Sequence, residues 1–297
     1  MSKCSSATKS RTTRNERSAS DRRSFLKMSA AAAAFGFAGW SDTTLGGDAV
    51  KTSGTPADTQ AGPLRAPLSR HVDSGYVPGL VAATWHKGDT QVLVLGRQSF
   101  GGPPMREKLD RLVTQYRPDP TRGELAVMDE PHGLFSRPPV FESGGGGLVS
   151  TVDDYLAYSR MLLGKGELDG RRVLSPVSVA EMTRNQLTAE ERRGPHASLF
   201  FGEHSGWGLG MAVAVERDEP WRNPGRFGWD GGYGTSAYAD PGEGLAGVLL
   251  TQRLMDSPAP PPTYTDFWTA ASAIPAQGRR PSIPAKVIKR PDHAQRT

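Results

Sequence analysis

Histidine and cysteine are the first residues of this chain to weigh for chemistry, because metal sites and thiol nucleophiles depend on them. Cys4 is the only cysteine of the 297 residues and lies in a basic N-terminal segment, so the rest of the chain has neither a disulfide nor a thiol nucleophile. His196 and His204 flank a Phe-Phe pair, but no third ligand lies nearby in the sequence, and an exposed loop is the favoured interpretation. We therefore expect no metal and no cofactor.

Two glycine-rich stretches are the next candidates. Residues 144–147 are four glycines ahead of a predicted helix and could cradle an anion, although a tight bend packed under a sheet is the favoured interpretation. Residues 228–232, Gly-Trp-Asp-Gly-Gly, precede a predicted strand. The sequence has no Gly-x-Ser-x-Gly, His-Glu-x-x-His or Gly-Lys-Ser/Thr motif, so α/β-hydrolase, zinc-hydrolase and P-loop sites lack a signal.

Positive charge is concentrated at the two ends of the chain. Residues 1–27 carry a net charge of +6 and residues 276–297 carry +5, while the whole chain carries +5, which leaves −6 on the residues between them. A nucleic-acid partner is not expected, because its footprint requires clustered positive charge on a folded surface. Composition predicts a linker over residues 41–66, a folded domain over 67–275 and a disordered basic tail over 276–297.

The N-terminal segment is typical of an export signal. Arg22 and Arg23 precede Ser-Phe-Leu-Lys and an Ala-rich apolar stretch, residues 28–39, which is the pattern of a twin-arginine signal peptide. We predict that residues 1–40 form this signal, that the twin-arginine translocase is a partner during export, and that the protein is periplasmic or extracellular. The apolar stretch is about half of the ~20 residues that span a bilayer, so no permanent membrane span is expected.

The elements that would position a site are strands at both ends of the domain. Residues 80–86 and 91–95 favour two strands, and the intervening Lys-Gly-Asp-Thr predicts a hairpin turn with a glycine at positive φ. The C-terminal part predicts an antiparallel meander followed by a helix. These elements are strands over residues 207–215, 226–229, 235–239 and 245–252, and a helix over 264–274.

The middle of the chain, residues 141–176, predicts helices. Ser150 or Thr151 can cap a helix that runs to residue 163. A second helix starts with Ser175 as its N-cap and Pro176 at its first position.

This run, with its glycine-rich turn, capped helix and Leu-Ser-Pro helix start, resembles the serine β-lactamase-like hydrolases: class C β-lactamases, related esterases and penicillin-binding proteins. The resemblance covers roughly residues 68–275 and implies an α/β (α+β) fold in which both chain ends share one antiparallel sheet flanked by helices. It implies small esters, β-lactams or cell-wall peptides as partners. Three motifs carry the family's chemistry: Ser-x-x-Lys for the nucleophile and its base, Tyr-x-Asn or Ser-x-Asn for a second proton carrier, and a Lys-Thr-Gly-like strand.

The third motif is present in altered form. Trp229, Asp230, Gly231 and Gly232 resemble the Trp-x-Gly variant of esterase-like members. The resemblance implies that Gly231 allows close approach of a substrate and that the Gly232 N–H donates to an oxyanion. An ordinary glycine-rich hairpin is the alternative.

The first motif is missing from the folded domain. Its only two matches, Ser6 to Lys9 and Ser24 to Lys27, lie in the predicted signal peptide, and no tyrosine has an asparagine two residues later. Residue 107 opens a segment that resembles a much later part of the family, which indicates an internal deletion between residues 106 and 107 and a largely missing helical subdomain. We therefore predict a β-lactamase-related protein that has lost acylation and has no confident catalytic residue.

Two alternatives stay open. The protein could be an active esterase with an unrecognised nucleophile such as Ser136, Ser143 or Ser236. It could also be a non-catalytic module that binds cell-wall material or peptides through its exposed sheet.

Overall fold

The structure is a computed structural model that describes residues 62–107, 112–193, 201 and 204–274. The predicted signal peptide, residues 41–61 of the predicted linker and the basic tail lie outside the described residues. In chain order the described elements are α1 (Gly62–Asp73), β1 (Gly79–His86), β2 (Asp89–Gly96), β3 (Gln115–Pro118), β4 (Leu125–Asp129), α2 (Val152–Leu163), β5 (Glu167–Leu168), β6 (Arg171–Arg172), α3 (Pro176–Met182), α4 (Ala189–Arg192), β7 (Ser205–Trp207), β8 (Ala212–Ala214), β9 (Phe227–Gly231), β10 (Thr235–Asp240), β11 (Leu245–Thr251) and α5 (Pro262–Ser272).

One antiparallel sheet of seven strands organises the fold, in the order β2-β1-β11-β10-β9-β8-β7. The first strand of the chain, β1, pairs with the last, β11, so that Leu80 lies opposite Thr251 and His86 opposite Leu245. The predicted α+β fold, with chain ends that share one antiparallel sheet and with a reduced helical part, is confirmed.

The sheet has two apolar faces, because neighbouring residues of a strand point to opposite sides. Leu80 and Ala82 of β1 pack with α1 and α5, and we call this side the terminal-helix face. Val81 and Ala83 pack with α2 on the other side, which we call the central-helix face. Both sides of the central strands are therefore buried.

Close packing on the terminal-helix face depends on a glycine. Trp268 of α5 lies over Gly247 of β11, and a Cβ atom on Gly247 would lie 2.8 Å from the Trp268 ring. Phe267 and Trp268 of α5 are 0% and 3% exposed. Only a residue without a side chain allows this helix to pack so close to the strand.

Local signals in the sequence predicted several of these elements. Lys87 and Gly88 turn β1 into β2 with φ angles of +48° and +109°, as the hairpin signal indicated. Thr151 caps α2 by accepting a hydrogen bond from the Asp154 N–H at 3.2 Å. Ser175 caps α3 in the same way, with Ser178 N–H as the donor at 3.0 Å.

The predicted boundary between the linker, residues 41–66, and the folded domain, residues 67–275, falls within helix α1. Helix α1 begins at Gly62, inside the predicted linker of residues 41–66. Leu64 and Leu68 are four residues apart and are both 0% exposed, because this face of α1 packs against α5. Pro67 lies within the helix and removes one backbone donor, and burial of the two leucines outweighs that loss.

The predicted strand over residues 207–215 is also wrong, because the chain turns back in its middle. Gly208 N–H donates to Met211 O at 2.8 Å and Gly210 has a φ of +87°, so the segment forms two short strands, β7 and β8. The glycines in this stretch make the turn.

Large apolar side chains are exposed between β4 and α2. Val140, Phe141 and Leu148 are 105%, 79% and 97% exposed. None of the helices in the described part of the chain has both the length and the apolar character needed to cross a bilayer.

Candidate functional site

The predicted motif lies on β9 and on the turn that leads into β10. Gly228 has a φ of +152°, and a Cβ atom there would lie 2.1 Å from Ala237 O of the neighbouring strand. Glycine is therefore required at this position of the strand.

The turn after β9 is held by several segments. Gly234 N–H donates to Gly231 O at 3.0 Å, and Met255 N–H donates to Gly232 O at 2.8 Å. The Gln115 side-chain amide donates to Tyr233 O at 2.9 Å. The backbone of the turn is thus fixed by β3 and by the segment after β11.

Trp229 points to the central-helix face. Its ring meets that of Trp207 edge to face, with centroids 4.8 Å apart. Trp229 lines a small cleft of about 40 Å³ together with Tyr155 and Tyr158 of α2. Burial raises the pKa of both tyrosines, so they are neutral hydroxyl groups at neutral pH.

Asp230 points to the terminal-helix face, away from Trp229. Its carboxylate accepts hydrogen bonds from the Ser236 hydroxyl at 2.6 Å and the Tyr238 hydroxyl at 3.1 Å. Burial raises the pKa of Asp230, while the Ser236 hydrogen bond and the Arg226 charge oppose that rise. The motif that the sequence presents as one unit is therefore divided between the two sides of the sheet.

Gly231 and Gly232 end the strand and begin the turn. The Gly231 carbonyl accepts a hydrogen bond from the Tyr264 hydroxyl of α5 at 3.3 Å. A Cβ atom on Gly231 would lie 2.3 Å from the Thr235 hydroxyl, while one on Gly232 would meet no atom within 4 Å. Gly232 is exposed, and its role as an oxyanion donor stays a prediction.

The three serines considered as nucleophiles lie in different surroundings. Ser236 is 0% exposed, and its hydroxyl donates to Asp230 and accepts from Trp268 Nε1 at 2.8 Å. Ser136 and Ser143 are exposed; the Ser136 hydroxyl donates to Gly133 O at 2.7 Å, and the Ser143 hydroxyl accepts from Gly145 N–H at 3.2 Å.

One of these serines lies beside the motif turn. The ring of Phe135, next to Ser136 in the chain, packs edge to face on Tyr233 with centroids 5.1 Å apart. Among the described residues, no histidine or lysine makes a hydrogen bond to the Ser136 hydroxyl.

The remaining candidates lie elsewhere. His196 is outside the described residues, and His204 pairs with Glu216 at 3.3 Å between Nδ1 and Oε2. Within the described ranges no group of three His, Cys, Asp or Glu residues could hold a metal ion. The four glycines at 144–147 form an exposed loop ahead of α2. In the first turn of α2 the Asp154 N–H already donates to the Thr151 hydroxyl.

Sequence reasoning missed the residues around Asp230. Arg226, one residue before β9, is 3% exposed and lies among the rings of Trp221, Tyr238 and Trp268. The pairing of Asp230 with Ser236 across the β9–β10 hairpin could have been predicted from the sequence, because the strands on both sides of the turn were predicted. No pattern in the sequence indicates that α5 and the segment before β9 pack beside Asp230.

Comparison with known proteins supports the predicted resemblance. A family model described as Beta-lactamase matches residues 90–265. Two curated proteins of Mycobacterium tuberculosis, Uncharacterized protein MT1414 of strain CDC 1551 / Oshkosh and Protein Rv1367c of strain ATCC 25618 / H37Rv, are each 42% identical over 152 residues, which is 49% of this chain. The match spans 37% of the length of each relative.

Among solved structures, EstCE1, described as a hydrolase with promiscuous acyltransferase activity, superposes with a TM-score of 0.57 at 13% identity. The superposition covers 73% of this chain and 99% of EstCE1. At this identity the likeness concerns the fold.

Proposed function

The chain belongs to the Beta-lactamase family, and we propose that it is an exported member of these hydrolases that has lost the acylation step. The observation that carries the proposal is the position of the Ser-x-x-Lys matches. Both lie before residue 28, in the predicted signal peptide, whereas the glycine-rich motif strand is retained in the sheet.

The chemistry that depends on the missing motif explains why its loss is decisive. A serine hydroxyl becomes a nucleophile only when an adjacent base takes its proton and holds its orientation. The Ser236 hydroxyl donates instead to Asp230, and Ser236 is fully enclosed by the sheet and α5. Without a nucleophile, an oxyanion donor at Gly232 could only bind a substrate and polarise its carbonyl group.

Turnover of p-nitrophenyl acetate and labelling by a fluorescent penicillin test the proposal. We expect the purified chain to hydrolyse the ester no faster than a buffer control and to show no labelled band. Hydrolysis that survives purification and disappears on one serine substitution would refute the loss of acylation.

An active esterase that uses Ser136 is the second candidate, because Phe135 packs on Tyr233 and brings this exposed serine beside the motif turn. In that case Ser136→Ala abolishes ester turnover, while Ser143→Ala, a change at another exposed serine, leaves it intact. Equal turnover by both variants would argue against Ser136.

A module that binds cell-wall material or peptides through an exposed sheet does not fit the central strands, whose two faces are buried. The exposed apolar side chains of Phe141 and Leu148 support such a module with a different binding surface. It predicts saturable binding of soluble peptidoglycan fragments without turnover. A calorimetric titration that shows no binding would dismiss this function and leave the loss of acylation untouched.

The proposed place of action is outside the cytoplasm. Arg22, Arg23 and the apolar stretch after them support export by the twin-arginine translocase. The substrates supported by the family are small esters, β-lactams or cell-wall peptides.

A further inference from the structure

An exposed apolar segment precedes α2. Every residue from 137 to 150 is exposed, and Val140, Phe141 and Leu148 are 105%, 79% and 97% exposed. Contact with another molecule that removes these side chains from water is favourable, because burial of apolar surface is the main driving force of association. Exposed apolar side chains so close together in the chain indicate a contact surface.

The described part of the chain holds this segment by local hydrogen bonds. At its start the Arg137 N–H donates to Leu134 O at 3.4 Å. At its end the Ser150 hydroxyl donates to Thr151 O at 3.3 Å. The apolar side chains between these two ends are therefore accessible to a partner.

Opposite charges flank the apolar side chains. The sequence Arg137-Pro-Pro-Val-Phe-Glu142 has a base at one end and an acid at the other. Neither Arg137 nor Glu142 forms an ion pair within the residues that the structure describes. A segment with the order base, apolar residues, acid is complementary to a second copy of itself that runs in the opposite direction.

A two-fold axis between residues 139 and 140 would bring Arg137 of one copy opposite Glu142 of the second copy. The same axis would place the two prolines opposite Val140 and Phe141 of the second copy. Each of these contacts would be made twice, because a two-fold interface uses the same surface on both subunits. The prolines have no N–H group, so side chains would make the contact and no β-ladder would extend it to further copies.

We propose that this segment is the contact surface of a homodimer and that its occupant is a second copy of this chain. A cell-wall fragment would meet the same apolar side chains, but the paired base and acid favour a surface that complements itself. The segment begins two residues after Phe135, whose ring packs on Tyr233, so the interface borders the motif turn. The dimer does not depend on the proposed loss of acylation, because it uses none of the motif residues.

Charge reversal tests the proposal, with sedimentation equilibrium of the full chain at several protein concentrations as the measurement. We expect wild type to change from monomer to dimer as its concentration rises. Glu142→Arg places an arginine opposite Arg137 in both contacts, and Arg137→Glu places a glutamate opposite Glu142. Each variant should dimerise about tenfold more weakly, since an exposed pair contributes little by itself but is present twice. Glu124→Arg is the matched control, because it makes the same change at an exposed residue outside the segment and should leave dimerisation unchanged.

An equimolar mixture of Glu142→Arg and Arg137→Glu distinguishes a second copy from any other occupant. In a heterodimer of these variants every charge faces its opposite, so we expect the mixture to dimerise as strongly as wild type. Recovery in the mixture also shows that both variants are folded, which circular dichroism checks independently.

Three results would overturn the proposal. The first is a wild-type chain that stays monomeric at every concentration, and the second is dimerisation of both single variants as strong as that of wild type. The third is a mixture that stays as weak as the single variants. Binding of soluble peptidoglycan fragments to a monomeric wild type, lost in Phe141→Ser, would assign the surface to that ligand instead.

Discussion

Ser236→Ala is the substitution that most sharply separates a structural serine from a catalytic one. The change removes two hydrogen bonds from a residue that is 0% exposed: the one donated to Asp230 at 2.6 Å and the one accepted from Trp268 Nε1 at 2.8 Å. A hydrogen bond to a charged group contributes about 1.5–3 kcal/mol, and an indole N–H left unsatisfied costs about 1–3 kcal/mol.

Because the two bonds belong to one network, their contributions do not simply add. We expect a decrease of about 2–4 kcal/mol in the free energy of unfolding. For a domain of this size that lowers Tm by roughly 5–15 °C.

Urea and thermal unfolding monitored by circular dichroism measure this change. Ser136→Ala is the matched control, because its hydroxyl is exposed and the free energy of unfolding should change by less than about 0.5 kcal/mol. A loss of less than about 1 kcal/mol in Ser236→Ala would show that these two hydrogen bonds do not stabilise the fold. A loss of ester turnover without destabilisation would instead assign Ser236 to catalysis.

Three further predictions concern charge, exposed surface and export. Burial raises the pKa of Asp230, so this carboxyl group binds a proton more tightly in the folded protein than in the unfolded chain. The contribution of Asp230 to the free energy of unfolding therefore declines as pH rises from about 4 through the pKa of the folded protein. Urea unfolding across this range should show wild type losing stability relative to Asp230→Asn, and a constant difference between the two would contradict the raised pKa. Phe141→Ser combined with Leu148→Ser should reduce concentration-dependent association measured by light scattering, because both side chains are at least 79% exposed; an unchanged mass distribution would exclude these residues as the contact. Arg22→Lys combined with Arg23→Lys should retain the precursor inside the cell on fractionation, while Arg14→Lys with Arg17→Lys should not, and normal export of the first variant would rule out the twin-arginine route.

Local chemistry made part of the fold predictable. The hairpin at Lys87 and Gly88 and the caps of α2 and α3 depend on residues within a few positions of each other, and their types specify the backbone conformation. Helix α1 could not be predicted in this way. Its prolines are typical of a linker, and it is stabilised by burial of Leu64 and Leu68 against α5, about 200 residues later in the chain.

The candidate site was predictable as a motif but not as an arrangement. Four neighbouring residues resemble one catalytic feature, yet the two-residue period of β9 sends Trp229 and Asp230 to opposite faces. The surroundings of Asp230 depend on where α5 and Arg226 pack, and those contacts come from tertiary structure. Strand periodicity, applied to the motif itself, would have separated the two residues.

Intact-protein mass spectrometry after incubation with a fluorophosphonate and with a penicillin shows whether any serine of the folded domain accepts a covalent group. We expect an unchanged mass for the protein without its signal peptide, while a serine hydrolase treated in parallel gains one adduct. An adduct of the expected mass, mapped to any side chain beyond residue 40, would show that the chain retains a reactive nucleophile.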